Sequence, residues 1–502
     1  MIARTVFPLH GLMMKLNPAT LLIILLALGG GAALFLAGVK PEPPTSTSTQ
    51  PQVVAVKQEE APVDVTNKAV EDLKKQIVLL EGQIEYLQGQ NDALKDENAQ
   101  LIQKLGMLGM KDAPKMNLKD DDAPPDFVGM GLEMMKMRKL QALPLVTTAI
   151  SQEEVEVVIL AWLKRQQPND EASKFARGLA ALGWIPEAID PLPLRAAFMA
   201  RQLGGWYDEE SETMYTIDPS TASGPAVTSN EPLGIAFGQL LREYGDILYQ
   251  PQHGPLKTDM RLARDSLIAG DAALTRFLHS LQNPSSAPKD DLPAEDPDHP
   301  LNQVPMPAFL RELALFPFSR GFDFAQTLHS AGNFAQLNAA YSRPPISTAE
   351  VIEPEMYLDP ERPAQVEIKL DEVKLKGVLP YLDDCLGKFA CVTALRTYNK
   401  DEDAALGARG LVADRLLAWA ADGGAKRDHA AWQTLFMDKV SADAFYKAML
   451  NCLKERYKTQ GAGEFTAQGR FVSLLRNREG AGVALIEAAS EEARAALKLL
   501  MK

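Results

Sequence analysis

The stretch Leu241-Arg242-Glu243-Tyr244-Gly245-Asp246-Ile247-Leu248 decides how the rest of the chain is read. Ile235, Leu240, Leu241, Ile247 and Leu248 recur at helical spacing, which predicts a helix with one face in a core. Arg242, Glu243 and Asp246 then fall inside a core-like segment, where an unpaired charge is costly. Two readings stay open. In one, Arg242 and Asp246, four apart on one face, form an ion pair. In the other, the helix runs near the surface and all three charges are solvated.

A zinc-peptidase helix of the HExxH pattern sets two histidines at i and i+4, with a glutamate between them as general base. Here Arg242 and Asp246 occupy the histidine positions and only Glu243 matches. Catalytic zinc takes three protein ligands and keeps one position open for water. A guanidinium stays protonated and has no acceptor, so Arg242 cannot be a ligand. Asp246 could ligate but lacks its partner. In the ion-pair reading, Arg242 supplies the positive charge that a metal would otherwise bring.

The surroundings add a resemblance. Gly205-Trp206-Tyr207-Asp208, followed by Met214-Tyr215, resembles the strand-turn-strand ahead of the helix in prokaryotic HExxH (gluzincin-like) zinc metallopeptidase-like proteins. Leu267-Ile268-Ala269-Gly270-Asp271-Ala272 is similar to their "VEGDA" segment, whose glutamate is the third metal ligand, and Ala269 stands in its place. Gly332 to Tyr341, Pro344 to Thr348 and Pro354 to Leu358 are similar to their closing segment. The likeness covers Val128 to the C-terminus.

It implies a metallopeptidase-like domain with a degenerate metal site at Arg242, Asp246 and Ala269. It also implies no bound metal or other cofactor, a vestigial base at Glu243, and a cleft bordered by Tyr207, Tyr215, His253 and Asp271. The alternative is an active metal-dependent peptidase with substitute ligands drawn from Glu243, Asp246, His253 and Asp271.

At 502 residues, two folded units with appendages are expected. A net charge of −14 argues against a nucleic-acid partner. The three cysteines, Cys385, Cys391 and Cys452, form no CxxC pair, which leaves free thiols or a single Cys385–Cys391 bridge. No two of the six histidines stand three or four apart, so they suggest no metal site. His279 and His329 lie near apolar residues and are expected to be packed or hydrogen-bonded.

Ala19 to Val39 is 21 residues without a charge, long enough to span a membrane. Arg4 and Lys15 precede it and Lys40 follows, which favours a cytoplasmic segment 1–18 and a bulk outside the cytoplasmic (inner) membrane, in the periplasm or its equivalent. Residues 40–66, rich in Pro, Ser and Thr, read as a linker. In 67–106, Val70, Ile77, Ile84, Asn91, Asn98 and Leu105 fall at heptad position a, with Leu73, Leu80, Leu87, Leu94 and Leu101 at d. β-Branched a positions with Leu at d favour a parallel two-stranded coiled coil, whose register Asn91 and Asn98 would fix. The chain would thus be its own partner, beside an envelope protein or peptide and the membrane.

After a second linker, 107–126, the fold class is α+β. A mainly helical metallopeptidase-like domain is expected over 127–360, and a C-terminal α+β domain with an antiparallel sheet over 361–502. Helices are expected at Glu153–Arg165, Glu171–Leu182, Pro193–Leu203, Lys257–Gln282 and within Met306–Tyr341, with a hairpin at Tyr207–Ile217. In the last part, Val366 to Val373 suggest strands and Leu379–Tyr398 a helix. Strand pairs are expected at Leu411–Ala421 with His429–Met437 and at Arg470–Leu475 with Gly482–Ile486. Helices capped by Ser441 and Ser490 complete a sheet covered on one side.

Overall fold

The computed structural model describes residues 126–500, apart from 142–143, 169, 188, 223, 225–229, 250–255, 284–298, 363–365, 370–373, 422–426 and 478–479. The membrane-spanning, linker and coiled-coil readings, including Asn91 and Asn98, lie outside the described residues, as does His253. Among the described residues no helix is long and apolar enough to cross a membrane.

Local signals set most elements. Asp126 caps α1 (Phe127–Arg138) by accepting from the Gly129 amide. Ser151 and Glu154 form a reciprocal capping box that starts α2 (Gln152–Gln166), directly after β1 (Val146–Ile150). α3 spans Glu171–Ala181. α4 (Pro191–Leu203) opens on a proline, whose missing N–H costs nothing in a first turn. β2 (Gly205–Asp208) and β3 (Thr213–Ile217) pair as the expected hairpin, with Tyr207 opposite Met214. β1 adds to β3 in parallel, an unforeseen third strand.

Next come α5 (Glu231–Leu248) and α6 (Thr258–Gln282). The long α7 (Ala308–Ser342) is interrupted where Gly332 and Asn333 leave helical geometry, Asn333 at φ 53°. Backbone touches backbone where α6 crosses α7: a Cβ on Gly270 would lie 1.9 Å from the Gly321 carbonyl oxygen. Two short helices follow, α8 (Thr348–Ile352) and α9 (Pro354–Leu358).

The remaining residues confirm an antiparallel sheet, in the order β4-β5-β6-β9-β8-β7. These strands are β4 (Leu382–Asp384), β5 (Leu411–Trp419), β6 (His429–Phe436), β7 (Glu464–Ala467), β8 (Arg470–Arg476) and β9 (Gly482–Ala488). The helices are α10 (Gly387–Arg396), α11 (Asp401–Ala408), α12 (Lys439–Tyr457) and α13 (Glu491–Leu500).

Four expectations change here. Leu379–Tyr398 is not one helix: β4 comes first, and Gly387, at φ 78°, starts α10. Residues 366–369 carry no strand. α12 is capped by Asp438, which accepts from the Ser441 amide, so the helix begins three residues earlier than a Ser441 cap implies. The sheet is covered on both faces. Every residue of β9 is buried, and such a strand needs apolar partners on each side. Leu485 and Trp432 face the main core, while Ile486 and Trp419 pack with Ala493 and Leu497 of α13.

One apolar core runs from Met134 to Leu485, joining the helices to the sheet within the unit Asp122–Lys502. Buried carboxylates reinforce the seam. Asp384 accepts from the Thr258 amide and hydroxyl at 2.8 and 2.6 Å, and Asp259 accepts from the same two groups of Thr348 at the same distances. Asp414 accepts from the Leu386 and Gly387 amides and from the Trp432 indole. Burial pushes the Asp259 carboxyl up to about 7, against the lowering pull of the Thr348 donors.

Candidate functional site

The helix quoted at the outset forms as expected, but it turns its charges outward. In α5, Leu240, Leu241, Tyr244 and Leu248 are buried, while Glu243 and Asp246 are exposed and Arg242 is half-buried. Ile247, read as a core residue, is 43% exposed. Arg242 and Asp246 form no ion pair with each other or with another described residue, which removes the ion-pair reading and leaves the solvated one. A half-exposed charge stays hydrated and needs no partner.

The remaining predicted positions are dispersed. Ala269 is buried in α6, where it lines a cavity with Phe237 and Tyr249. Tyr207 is buried in β2, and burial raises its pKa although the Arg242 guanidinium pulls the other way. Tyr215 is half-buried, its hydroxyl 3.4 Å from that of Ser211. Among the described residues no three His, Cys, Asp or Glu side chains gather as a metal site would require.

The buried charges lie elsewhere. Arg138, the last residue of α1, and Asp271 of α6 are both fully buried and meet at 2.5 Å. The Tyr341 hydroxyl donates to Asp271 Oδ2 at 2.8 Å and the Thr275 hydroxyl to Oδ1 at 3.2 Å. Tyr244 stacks on Tyr341 with ring centroids 3.7 Å apart. Phe334 covers the guanidinium at 4.7 Å, and His329 meets Phe334 edge-on at 4.6 Å. The break at Gly332–Asn333 re-aims the second half of α7, which carries both Phe334 and Tyr341.

Burial holds Asp271 above the ordinary carboxylate range, against the lowering pull of Arg138 and the two hydroxyls. Tyr341 is pushed well above 10 by burial and the facing carboxylate, so it donates and does not ionise. Arg138 Nε and Nη1 are buried without a hydrogen-bond partner. Within the cluster the Arg138 and Asp271 charges offset one another.

Sequence reasoning placed Asp271 in the site but missed Arg138 and Tyr341. The signal was present: Gly131, Met134, Met135 and Arg138 are the buried residues of α1, and their spacing puts the arginine on the apolar stripe.

The histidines behave as expected. His279 Nε2 lies 3.0 Å from Glu133, and burial draws the His329 pKa below 6.5. Cys385, Cys391 and Cys452 are all free thiols, so no Cys385–Cys391 bridge forms. Cys385 donates to Asp414, and burial raises its pKa well above the usual thiol value.

No family model matches the chain, and no curated protein or solved structure does.

Proposed function

We propose that this chain is a non-catalytic, membrane-anchored protein of the cell envelope, dimeric through its heptad segment, whose metallopeptidase-like part serves as an interaction or scaffold module. The observation that carries this reading is the state of the three α5 charges. Arg242 cannot ligate, Glu243 and Asp246 face water, and Ala269 of α6 offers no donor atom. A general base needs a water or substrate held within hydrogen-bond reach, and Glu243 lies outside the buried cluster that ties Asp271 to Arg138. The uncharged run Ala19–Val39 and the heptads of 67–106 supply the anchor and the dimer.

Metal analysis of the purified chain, with assays on a mixed peptide library, tests the catalytic part. Substoichiometric zinc and no cleavage are expected for both the native chain and Glu243→Ala. Stoichiometric zinc, or cleavage abolished by Glu243→Ala, would establish the peptidase instead. Sedimentation of the chain with and without residues 67–106 tests the dimer: mass should fall by half on deletion, and an unchanged mass would remove the coiled coil.

A further inference from the structure

The three-stranded sheet β1-β3-β2 has two edges of opposite character. β2 is buried apart from half-buried Asp208. β1, Val146-Thr147-Thr148-Ala149-Ile150, has no buried residue, and Val146 is 66% exposed.

The register shows which backbone groups of β1 are already used. The Asp218 amide donates to the Ile150 carbonyl at 2.8 Å, so Ile150 turns its N–H and C=O toward β3. Backbone groups alternate sides along a strand, so Val146 and Thr148 do the same, while Thr147 and Ala149 turn theirs outward. Among the described residues no backbone group bonds to Thr147 or Ala149 on that side.

A row of unpaired donors and acceptors is a template for another strand, and proteins blunt it with charges, a proline, a bulge or a very short edge. The larger sheet does so at both ends. β7 carries Glu464, tied to Lys498, and β4 is three residues long with Asp383 and Asp384. β1 has no charge, no proline and no break in its register with β3.

We propose that β1 pairs antiparallel with β1 of a second copy of this chain, about a two-fold axis through Thr148. Thr147 then lies opposite Ala149 of the partner subunit, and the two exchange both backbone hydrogen bonds. Val146 lies opposite Ile150 of the partner subunit, and Thr148 opposite itself. Such β-branched neighbours pack well across strands, and no like charges oppose one another.

Size and reach select this occupant. Specific interfaces bury roughly 1,200–2,000 Å², far more than the five residues of β1 supply on each side, so a freely diffusing partner would not stay. Two copies joined by the heptads of 67–106 are already close. Each globular part hangs on residues 107–126, at most about 70 Å long when fully extended, which keeps the local concentration on the order of millimolar. In this the pairing rests on the dimer proposed above.

The test is disulfide trapping of the full chain in detergent micelles, under copper–phenanthroline. Across the axis Thr148 forms a non-hydrogen-bonded pair with Cα atoms about 4.5 Å apart, within the roughly 4.4–6.8 Å that a disulfide spans. Thr148→Cys is expected to give covalent dimer at least about tenfold faster than Val157→Cys, a position 65% exposed on α2. The native chain, with Cys391 and Cys452 buried, is the blank. Adding Ala149→Pro removes an outward donor that β3 does not use, and should bring Thr148→Cys down to the Val157→Cys rate. Ala149→Gly, which keeps that donor, should retain fast trapping.

Sedimentation separates this contact from the heptads. A Thr148→Cys chain that sediments as a dimer yet is trapped no faster than Val157→Cys overturns the β1 pairing and leaves the heptad dimer standing. Fast trapping that survives Ala149→Pro in a folded chain overturns it too. Fast trapping in a chain whose mass does not fall on deletion of 67–106 upholds β1 and overturns the heptads, and a monomer that is not trapped overturns both.

Discussion

Two sets of charges on neighbouring helices have opposite fates. Arg242, Glu243 and Asp246 sit four residues or fewer apart in an apolar-looking run, yet the helix rotates them toward water. Arg138 and Asp271 are 133 residues apart and end fully buried against one another. Spacing along a helix shows which side chains share a face, whereas burial depends on what packs on that face. α5 buries the Tyr244 side, where Tyr341 stacks, and Tyr341 in turn supplies a donor to Asp271.

This contrast can be broken most sharply at the buried pair. Asp271→Ala leaves Arg138 charged with no counterion, and a loss of about 3–5 kcal/mol in unfolding free energy is expected by urea denaturation. Replacing both members by apolar residues, Arg138→Met with Asp271→Leu, should recover most of that loss. A loss under 1 kcal/mol for Asp271→Ala would mean that water reaches the cluster.

Smaller effects sharpen the picture. Glu231, buried at the start of α5, is pushed by desolvation up to about 8. A carboxyl raised in the folded state stabilises fully below its unfolded value, and that contribution is lost as the pH rises through the folded one. Glu231→Gln should therefore leave stability unchanged near pH 4 and raise it above the native chain by on the order of 2 kcal/mol at pH 9. Equal shifts at both pH values would contradict the assigned environment. Tyr341→Phe removes one donor from Asp271 and should cost about 1–2 kcal/mol, seen as a lower denaturation midpoint at an unchanged slope.

Much of the fold was legible along the chain because its signals are local. The Ser151–Glu154 box and the proline start of α4 each mark an element without tertiary help. What failed depends on distant partners. β4 is three residues long and owes its form to pairing with β5. Gly387 keeps its turn because Asp259 leaves no room for a Cβ. The second cover on the sheet comes from α13, which follows directly on β9 yet also packs against Leu417 and Trp419 of β5, distant in sequence.

The candidate site was legible as a list of residues, but not as a geometry. An HExxH-like spacing with Arg242 and Asp246 at the ligand positions says that zinc lacks donors there. It does not say that Arg138, from the first helix of the globular part, supplies the buried cation instead. Nor does it show that Ala269, placed where a ligand would be expected, lines a mainly apolar cavity with Phe237 and Tyr249.

The most direct test is a pair of double-mutant cycles run by chemical denaturation, one on Arg138 with Asp271 and one on Arg242 with Asp246. A coupling of about 2–3 kcal/mol is expected for the first pair, and under about 0.5 kcal/mol for the second. Strong coupling between Arg242 and Asp246, with none between Arg138 and Asp271, would contradict this placement of the buried charge.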